Sequence, residues 1–167
     1  MNLKLTDKTI QLRKIKQDDL SVLREIYGTT RQLEMDRVPH WTDLMKSEFI
    51  KQQFQAQHSH YQNNYPEADF WILERNNNVI GRLYVEDNSK QSAIRIIDIT
   101  LLPEFRGKGS GTGILKDLIQ KASDCNLPLS IHVESFNPAK RLYERLGFKM
   151  ISETNGVYHL MEWKNTI

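Results

Sequence analysis

The sequence predicts an α/β fold of the mixed-sheet, α+β kind, with about seven strands covered by four helices. Three observations carry this. Segments with strand alternation and segments with helical spacing follow one another along the chain, which builds a sheet with helices packed on it. The most apolar run, "SAIRIIDITLL" at residues 92–102, stops at Pro103 and leads through a glycine-rich stretch into an amphipathic helix. The last two strand-like segments, residues 148–153 and 157–163, flank Thr154-Asn155-Gly156, which reads as a hairpin turn.

Each element has its own grounds. Residues 10–15, "IQLRKI", form a short strand. Residues 18–27 form a helix, with Asp18 and Asp19 in the first turn and Leu20, Leu23 and Tyr27 on one stripe. "EMDRVPHW", residues 34–41, connects it to a second helix at residues 42–54. The Gln-, His- and Asn-rich residues 52–64 read as a polar helix end and a loop. Strands at residues 69–75 and 78–87 meet at the turn Asn76-Asn77-Asn78. After the glycines, Ile114, Leu115, Leu118, Ile119 and Ala122 recur at helical spacing. In residues 129–135, Leu129, Ile131 and Val133 alternate with Ser130, His132 and Glu134, as a strand requires. "NPAKRLYERLGF", residues 137–148, is a helix with Asn137 at the N-cap and Pro138 at the first helical position. Ala139, Leu142, Tyr143 and Leu146 form its stripe, and Gly147 lies just past its end.

The bulk numbers narrow the function. At 167 residues, the chain is expected to be one domain spanning residues 1–167. With 23 basic and 21 acidic residues the formal charge is +2, which argues against a nucleic-acid or membrane surface. A single cysteine, Cys125, rules out an internal disulfide and fits a reducing compartment. The start lacks the apolar stretch of a signal peptide, and no run approaches the roughly 20 apolar residues of a membrane span. A cytoplasmic protein is expected. His58 and His60 have no partners at ligand spacing, so no metal is expected. Monomer and homodimer both stay open.

"RGKGSGTG", residues 106–113, holds four of the chain's eight glycines. It joins a buried strand to a helix start. The first N–H groups of a helix lack internal partners and lie at the positive end of its dipole. Bare backbone there lets an anion approach closely. Arg106 and Lys108 add positive charge. A tight turn needs one glycine, not four, so the stretch reads as a phosphate or pyrophosphate cradle. It is not a P-loop, because Gly107-Lys108 is followed by Gly109 rather than Ser or Thr. Nor is it the dinucleotide G-x-G-x-x-G, which would need glycine at Thr112 or Ile114. Both failures weigh against a nucleotide-binding module.

"LLPEFRGKGSGTGIL", residues 101–115, resembles the acyl-coenzyme A signature of the GCN5-related N-acetyltransferases, Arg-x-x-Gly-x-Gly/Ala with an upstream proline. Twenty-six residues after Gly111, "NPAKRLYERLGF" resembles that family's second motif. Together the two cover residues 94–148. The resemblance implies splayed central strands with acetyl-coenzyme A in the gap. Backbone groups near Ile99 and Leu101 would pair with the pantetheine arm. N–H groups of Arg106, Gly107, Lys108, Gly109, Ser110, Gly111 and Thr112 would hold the pyrophosphate. Asn137 would touch the pantetheine arm, with Lys140 near the cofactor, and Tyr143 would be the general acid.

Chemistry supplies a partly independent argument. Amine attack on a thioester needs a donor for the developing oxyanion and a proton for the leaving thiolate. A tyrosine hydroxyl, with an ordinary pKa near 10, can give that proton at neutral pH. An alkyl ammonium must first lose its proton, which calls for a base. Asp98 and Glu134 are the candidates, directly or through water. Relatives often carry a glutamate one position before Asp98, where this chain has Ile97. Glu34, Asp36 and Trp41 lie where the family borders its acceptor site, and can attract or wall a cationic amine. The expected function is acetyl transfer from acetyl-coenzyme A to a small-molecule amine or a peptide N-terminus. The alternative is a non-catalytic coenzyme A-binding sensor or scaffold of the same fold.

Overall fold

A computed structural model describes residues 1–166. Seven strands form one sheet in the order β1-β2-β3-β4-β5-β7-β6. They are β1 (Ile10–Lys14), β2 (Asp69–Arg75), β3 (Asn78–Asn88), β4 (Ala93–Leu101), β5 (Leu129–Glu134), β6 (Lys149–Thr154) and β7 (Tyr158–Trp163). β4 and β5 pair in parallel, and every other neighbouring pair is antiparallel. The β2–β3 hairpin turns at Asn76 and Asn77, both at positive φ (51° and 61°), as a two-residue primed turn requires. Asn155 and Gly156 play the same part between β6 and β7, with φ of 53° and 66°.

The helices are α1 (Leu20–Thr29), α2 (Gln32–Asp36), α3 (Asp43–Asn64), α4 (Ser110–Cys125) and α5 (Ala139–Arg145). The expectation of four helices needs correcting to five, because short α2 lies in the segment read as a connection. α3 also runs to Asn64, through residues expected to leave the helix. Nothing breaks it before Pro66, and Ile50, Phe54 and Tyr61 keep one stripe packed against the sheet. Two layers of core result. α1 and α3 cover one face through Leu23, Tyr27 and Phe54 against Ile72 and Tyr84 of the sheet. α4 and α5 cover the other through Ile114, Leu115, Leu118 and Tyr143 against Leu83, Val85, Ile94 and Ile96.

Two backbone irregularities shape the middle of the sheet. Opposite Tyr84-Val85, the β3–β4 register jumps from Asp98 to Ile96, so Ile97 is an extra residue. This bulge reverses the alternation along β4. Ile94 and Ile96 face α4, and past the bulge Ile99 and Leu101 join them. Asp98 and Thr100 therefore share the face of Arg82 and Tyr84, their partners on β3. The second irregularity is the close approach of β3 to β4 at Gly81, where a Cβ would stand 2.2 Å from the Thr100 carbonyl oxygen and 2.9 Å from Leu101 Cα. Both obstacles are backbone. Gly81→Ala should cost about 1–3 kcal/mol of stability, the usual range for overpacking. Urea denaturation measures this, and a loss under about 0.5 kcal/mol would mean that the strands separate there without strain.

Candidate functional site

The pairing of β4 with β5 is short. It runs Ile94↔Leu129, Arg95↔Ser130 and Ile96↔Ile131, and then stops. β4 stays paired with β3 as far as Leu101, and β5 with β7 as far as Glu134. The edge of β4 facing β5 is thus without a strand partner past Ile96. A cavity of about 430 Å³ occupies the opening. Its wall includes Tyr61 and Ile97 from the α1/α3 side, and Ile99, Val133 and Tyr143 from the α4/α5 side. The opening therefore passes through the sheet.

The glycine loop lies at the C-terminal end of β4. Gly107 and Gly109 have φ of +71° and +86°, a region that L side chains rarely adopt. A Cβ at either would meet nothing within 4 Å, so the glycines serve the backbone path rather than relieve crowding. Gly109 is the N-cap of α4, and the Gly113 N–H makes the helix's first bond, to the Gly109 carbonyl at 2.9 Å. Among the described residues, the N–H groups of residues 107–112 have no acceptor. Six consecutive amides are therefore available to an anion. Arg106 departs from expectation, because its N–H donates to the Pro103 carbonyl at 3.2 Å. Its guanidinium donates to the Leu101 carbonyl at 2.7 Å and to Thr29 Oγ1 at 3.0 Å. Arg106 ties the loop to β4 and α1. The Ser110 hydroxyl is likewise engaged, accepting from Arg75 at 3.0 Å. Lys108 is exposed, in a smaller cleft that also holds Asp7, Arg75 and Asp117.

Tyr143 reaches the cavity from α5. Asn137 caps that helix, its Oδ1 accepting from the Ala139 N–H at 2.9 Å. The helix ends with Gly147 at φ +96° and a Phe148 N–H donating to the Tyr143 carbonyl at 3.0 Å. That bond, with the Phe148 ring 5.7 Å from the Tyr143 ring, is a Schellman ending with its hydrophobic contact. The Gly-Phe pair thereby fixes the tyrosine. The Tyr143 ring is buried, and its hydroxyl has no hydrogen-bond partner among the described residues. Burial first, and the Asp98 carboxylate second, push its pKa well above the ordinary phenol value. Ile99, Asn137, Asp98 and Glu134 also line the cavity. Lys140, on the first turn of α5, does not line it.

The two carboxylates are both paired. Asp98 receives Arg82 Nε at 3.2 Å, Arg82 Nη2 at 2.8 Å and the Thr100 hydroxyl at 2.7 Å. Arg82 is only 1% exposed and also bonds Gln57 of α3 at 2.9 Å. Glu134 lies 3.5 Å from Arg31, which Glu34 approaches to 3.1 Å and whose Nε donates to the Tyr27 hydroxyl at 3.0 Å. Glu34 thus reaches the site through Arg31. Trp41 lies outside it, edge-on to Phe49 at 5.5 Å, and Asp36 is exposed, bonded to Gln32. Arg82, Arg31 and the bulge at Ile97 escaped the sequence reading. A lone arginine in "VIGRLYV", beside a lone aspartate in "RIIDITL", was the signal for the first. Among the described residues no cluster of three or more His, Cys, Asp or Glu could hold a metal, and no helix is long and apolar enough to cross a membrane.

Comparison with known proteins adds the lineage. Residues 35–148 match the family described as Acetyltransferase (GNAT) family. No curated protein sequence matches the chain. Among solved structures it is similar to the PaiA N-acetyltransferase of Thermoplasma acidophilum in complex with coenzyme A. That match has a TM-score of 0.67 at 17% identity, over 93% of this chain and 99% of that one. An acetyltransferase from Thermus thermophilus gives 0.66 at 15% identity, over 94% and 97%. A spermidine N-acetyltransferase SpeG variant from Vibrio cholerae gives 0.59 at 21%, over 95% of each chain. At these identities the structural likeness speaks for the fold.

Removing one partner of a buried ion pair leaves the other charge uncompensated. Asp98→Ala strands Arg82 and should cost about 3–5 kcal/mol of stability at neutral pH. Asp98→Asn, which keeps a hydrogen-bonding partner, should cost less. Chemical denaturation of both variants checks this, and a loss below about 1 kcal/mol for Asp98→Ala would mean that the pair is well hydrated.

Proposed function

Because the chain belongs to the acetyltransferase (GNAT) family, we propose that it transfers an acetyl group from acetyl-coenzyme A to an amine, with the thioester held in the gap between β4 and β5. The observation that carries this reading is the run of six acceptor-free amides at residues 107–112, in the loop that leads from β4 into α4. It suits a pyrophosphate, since several acceptor-free backbone donors lie together at a helix N-terminus. The unpaired edge of β4 near Ile99 suits the amide-bearing pantetheine arm, with Asn137 beside it, whereas the Leu101 carbonyl is already taken by Arg106. Bound there, acetyl-coenzyme A supplies an activated carbonyl and a good leaving group.

This chain's residues would do the rest. An N–H on the free edge of β4 donates to the carbonyl oxygen as negative charge builds on it. The Tyr143 hydroxyl donates a proton to the departing sulfur. Its raised pKa keeps that proton in place at neutral pH and above. Of the two candidate bases, Glu134 is the better placed to draw the amine's proton away through water. Its cationic neighbour, Arg31, is shared with Glu34, whereas both oxygens of Asp98 are occupied. Asp98 positions β4 instead. The rival reading, a non-catalytic coenzyme A binder, draws on the pairing of both carboxylates.

Two experiments test these assignments. Gly109→Val places a β-branched side chain at positive φ and turns the loop amides away. Calorimetry should show coenzyme A binding weakened at least about 10-fold in a folded variant, since several charge-assisted hydrogen bonds are lost. Unchanged affinity would remove the cradle. Tyr143→Phe should lower kcat and kcat/KM together by at least about 10-fold, with coenzyme A affinity nearly unchanged. Thiol release with an amine panel reads this out. The wild-type rate should show no downturn below about pH 10 from tyrosine ionisation, because the folded-state pKa is raised. Wild-type turnover in the Phe variant would take Tyr143 out of the reaction and favour the rival.

A further inference from the structure

One charged group in the cavity wall has no part in acetyl transfer: the Arg95 guanidinium. Resting on the acetyl-transfer reading, we propose that Arg95 binds an anionic group of the acceptor, so that the acceptor is a small amine that also carries a carboxylate or a phosphate.

The argument is one of unmatched charge. The cavity is lined by two arginines, Arg31 and Arg95, and two carboxylates, Asp98 and Glu134. Asp98 is taken by Arg82, and Glu134 and Glu34 share Arg31. Arg95 has no carboxylate within 4.0 Å among the described residues. Its one hydrogen bond is a long contact, 3.5 Å, to the Tyr65 hydroxyl. Glu86 stands opposite on β3 and Ser130 opposite on β5, and neither bonds it. The nearby His132 carries no negative charge in either protonation state, and partial burial together with Arg95 lowers its pKa. A half-buried guanidinium has lost part of its hydration without gaining an ion partner. Its planar fork matches a carboxylate or a phosphate.

The opposite end of the cavity has the opposite balance. There one arginine, Arg31, serves two carboxylates, which leaves a surplus negative charge for an ammonium group. Ser130, beside Arg95, and Glu134 are four residues apart on β5, roughly 13 Å of strand. Both long side chains shorten that span, so a short chain between amine and anion suffices. A polyamine fits less well, because its second ammonium would lie against the Arg95 guanidinium, although Glu86 stands opposite Arg95 on β3.

Four probes test this with coenzyme A or acetyl-coenzyme A at saturation: 4-aminobutanoate, 2-aminoethyl phosphate, 1,4-diaminobutane and butan-1-amine. An anionic amine should be preferred over the diamine in kcat/KM, and the better of the two names carboxylate or phosphate. Arg95→Ala should lower the ratio of anionic to uncharged-chain amine about 10- to 100-fold, mainly through KM. Arg95→Lys, which keeps the charge without the fork, should retain part of it. Preference for the diamine, or an unchanged ratio in Arg95→Ala, overturns the inference and leaves acetyl transfer standing. If no amine is acetylated, acetyl transfer fails, and calorimetry of the probes still decides Arg95. Anion binding that Arg95→Ala abolishes upholds its role; binding absent or unaltered overturns it.

Discussion

The proposed chemistry depends on β4 being paired along one edge and unpaired along the other. A strand interior to a sheet ordinarily satisfies its backbone groups on both sides. Here the ladder to β3 runs nine residues along β4, from Ala93 to Leu101, while the ladder to β5 ends at Ile96↔Ile131. The side that stays closed is reinforced. Arg82 clamps Asp98 across the β3–β4 ladder and Gln57 across to α3, in surroundings where an unpaired charge would be costly. Gly81 lets the two strands approach closely. The side that opens leaves backbone groups without partners, and an extended, amide-rich ligand can satisfy them.

The bulge at Ile97 makes this arrangement chemically useful. Without it, Asp98 would fall on the same face as Ile94 and Ile96, against the apolar α4 layer. With it, the carboxylate meets Arg82 while Ile99 and Leu101 rejoin the core. One extra residue thus separates a polar cavity from the hydrophobic layer that anchors α4. The helix then starts at Gly109 with its first amides free of protein acceptors. Tyr143 enters from α5, on the same face of the sheet as α4, held by the Phe148 contact. Cradle, free strand edge and tyrosine are three products of one backbone path.

How much of this was legible in the sequence depends on the kind of signal each part leaves. Strands and the amphipathic helices α1, α4 and α5 announce themselves through period and punctuation. The turns at Asn76-Asn77 and Asn155-Gly156 do so through residues that tolerate positive φ. The place of the glycine loop at the start of α4 was legible because glycines that tolerate positive φ punctuate the passage from strand to helix. The full length of α3 was not, since its second half is polar and only Phe54 and Tyr61 mark the buried stripe. Side-chain pairings were least legible of all. Arg106 reads as a phosphate ligand, yet it bonds Leu101 and Thr29. Asp98 reads as a base, yet it is bound to Arg82. Such partners are distant in sequence, and no local pattern names them.

The central claim is that the amides of residues 107–112 receive an anion when coenzyme A occupies the β4–β5 gap. Amide hydrogen exchange, followed residue by residue with and without coenzyme A, tests it most directly. The account predicts marked slowing at residues 107–112 and along the free edge of β4 past Ile96, with little change in β1 and β6. Saturating coenzyme A that leaves the exchange of residues 107–112 untouched, or protects another surface instead, would contradict it.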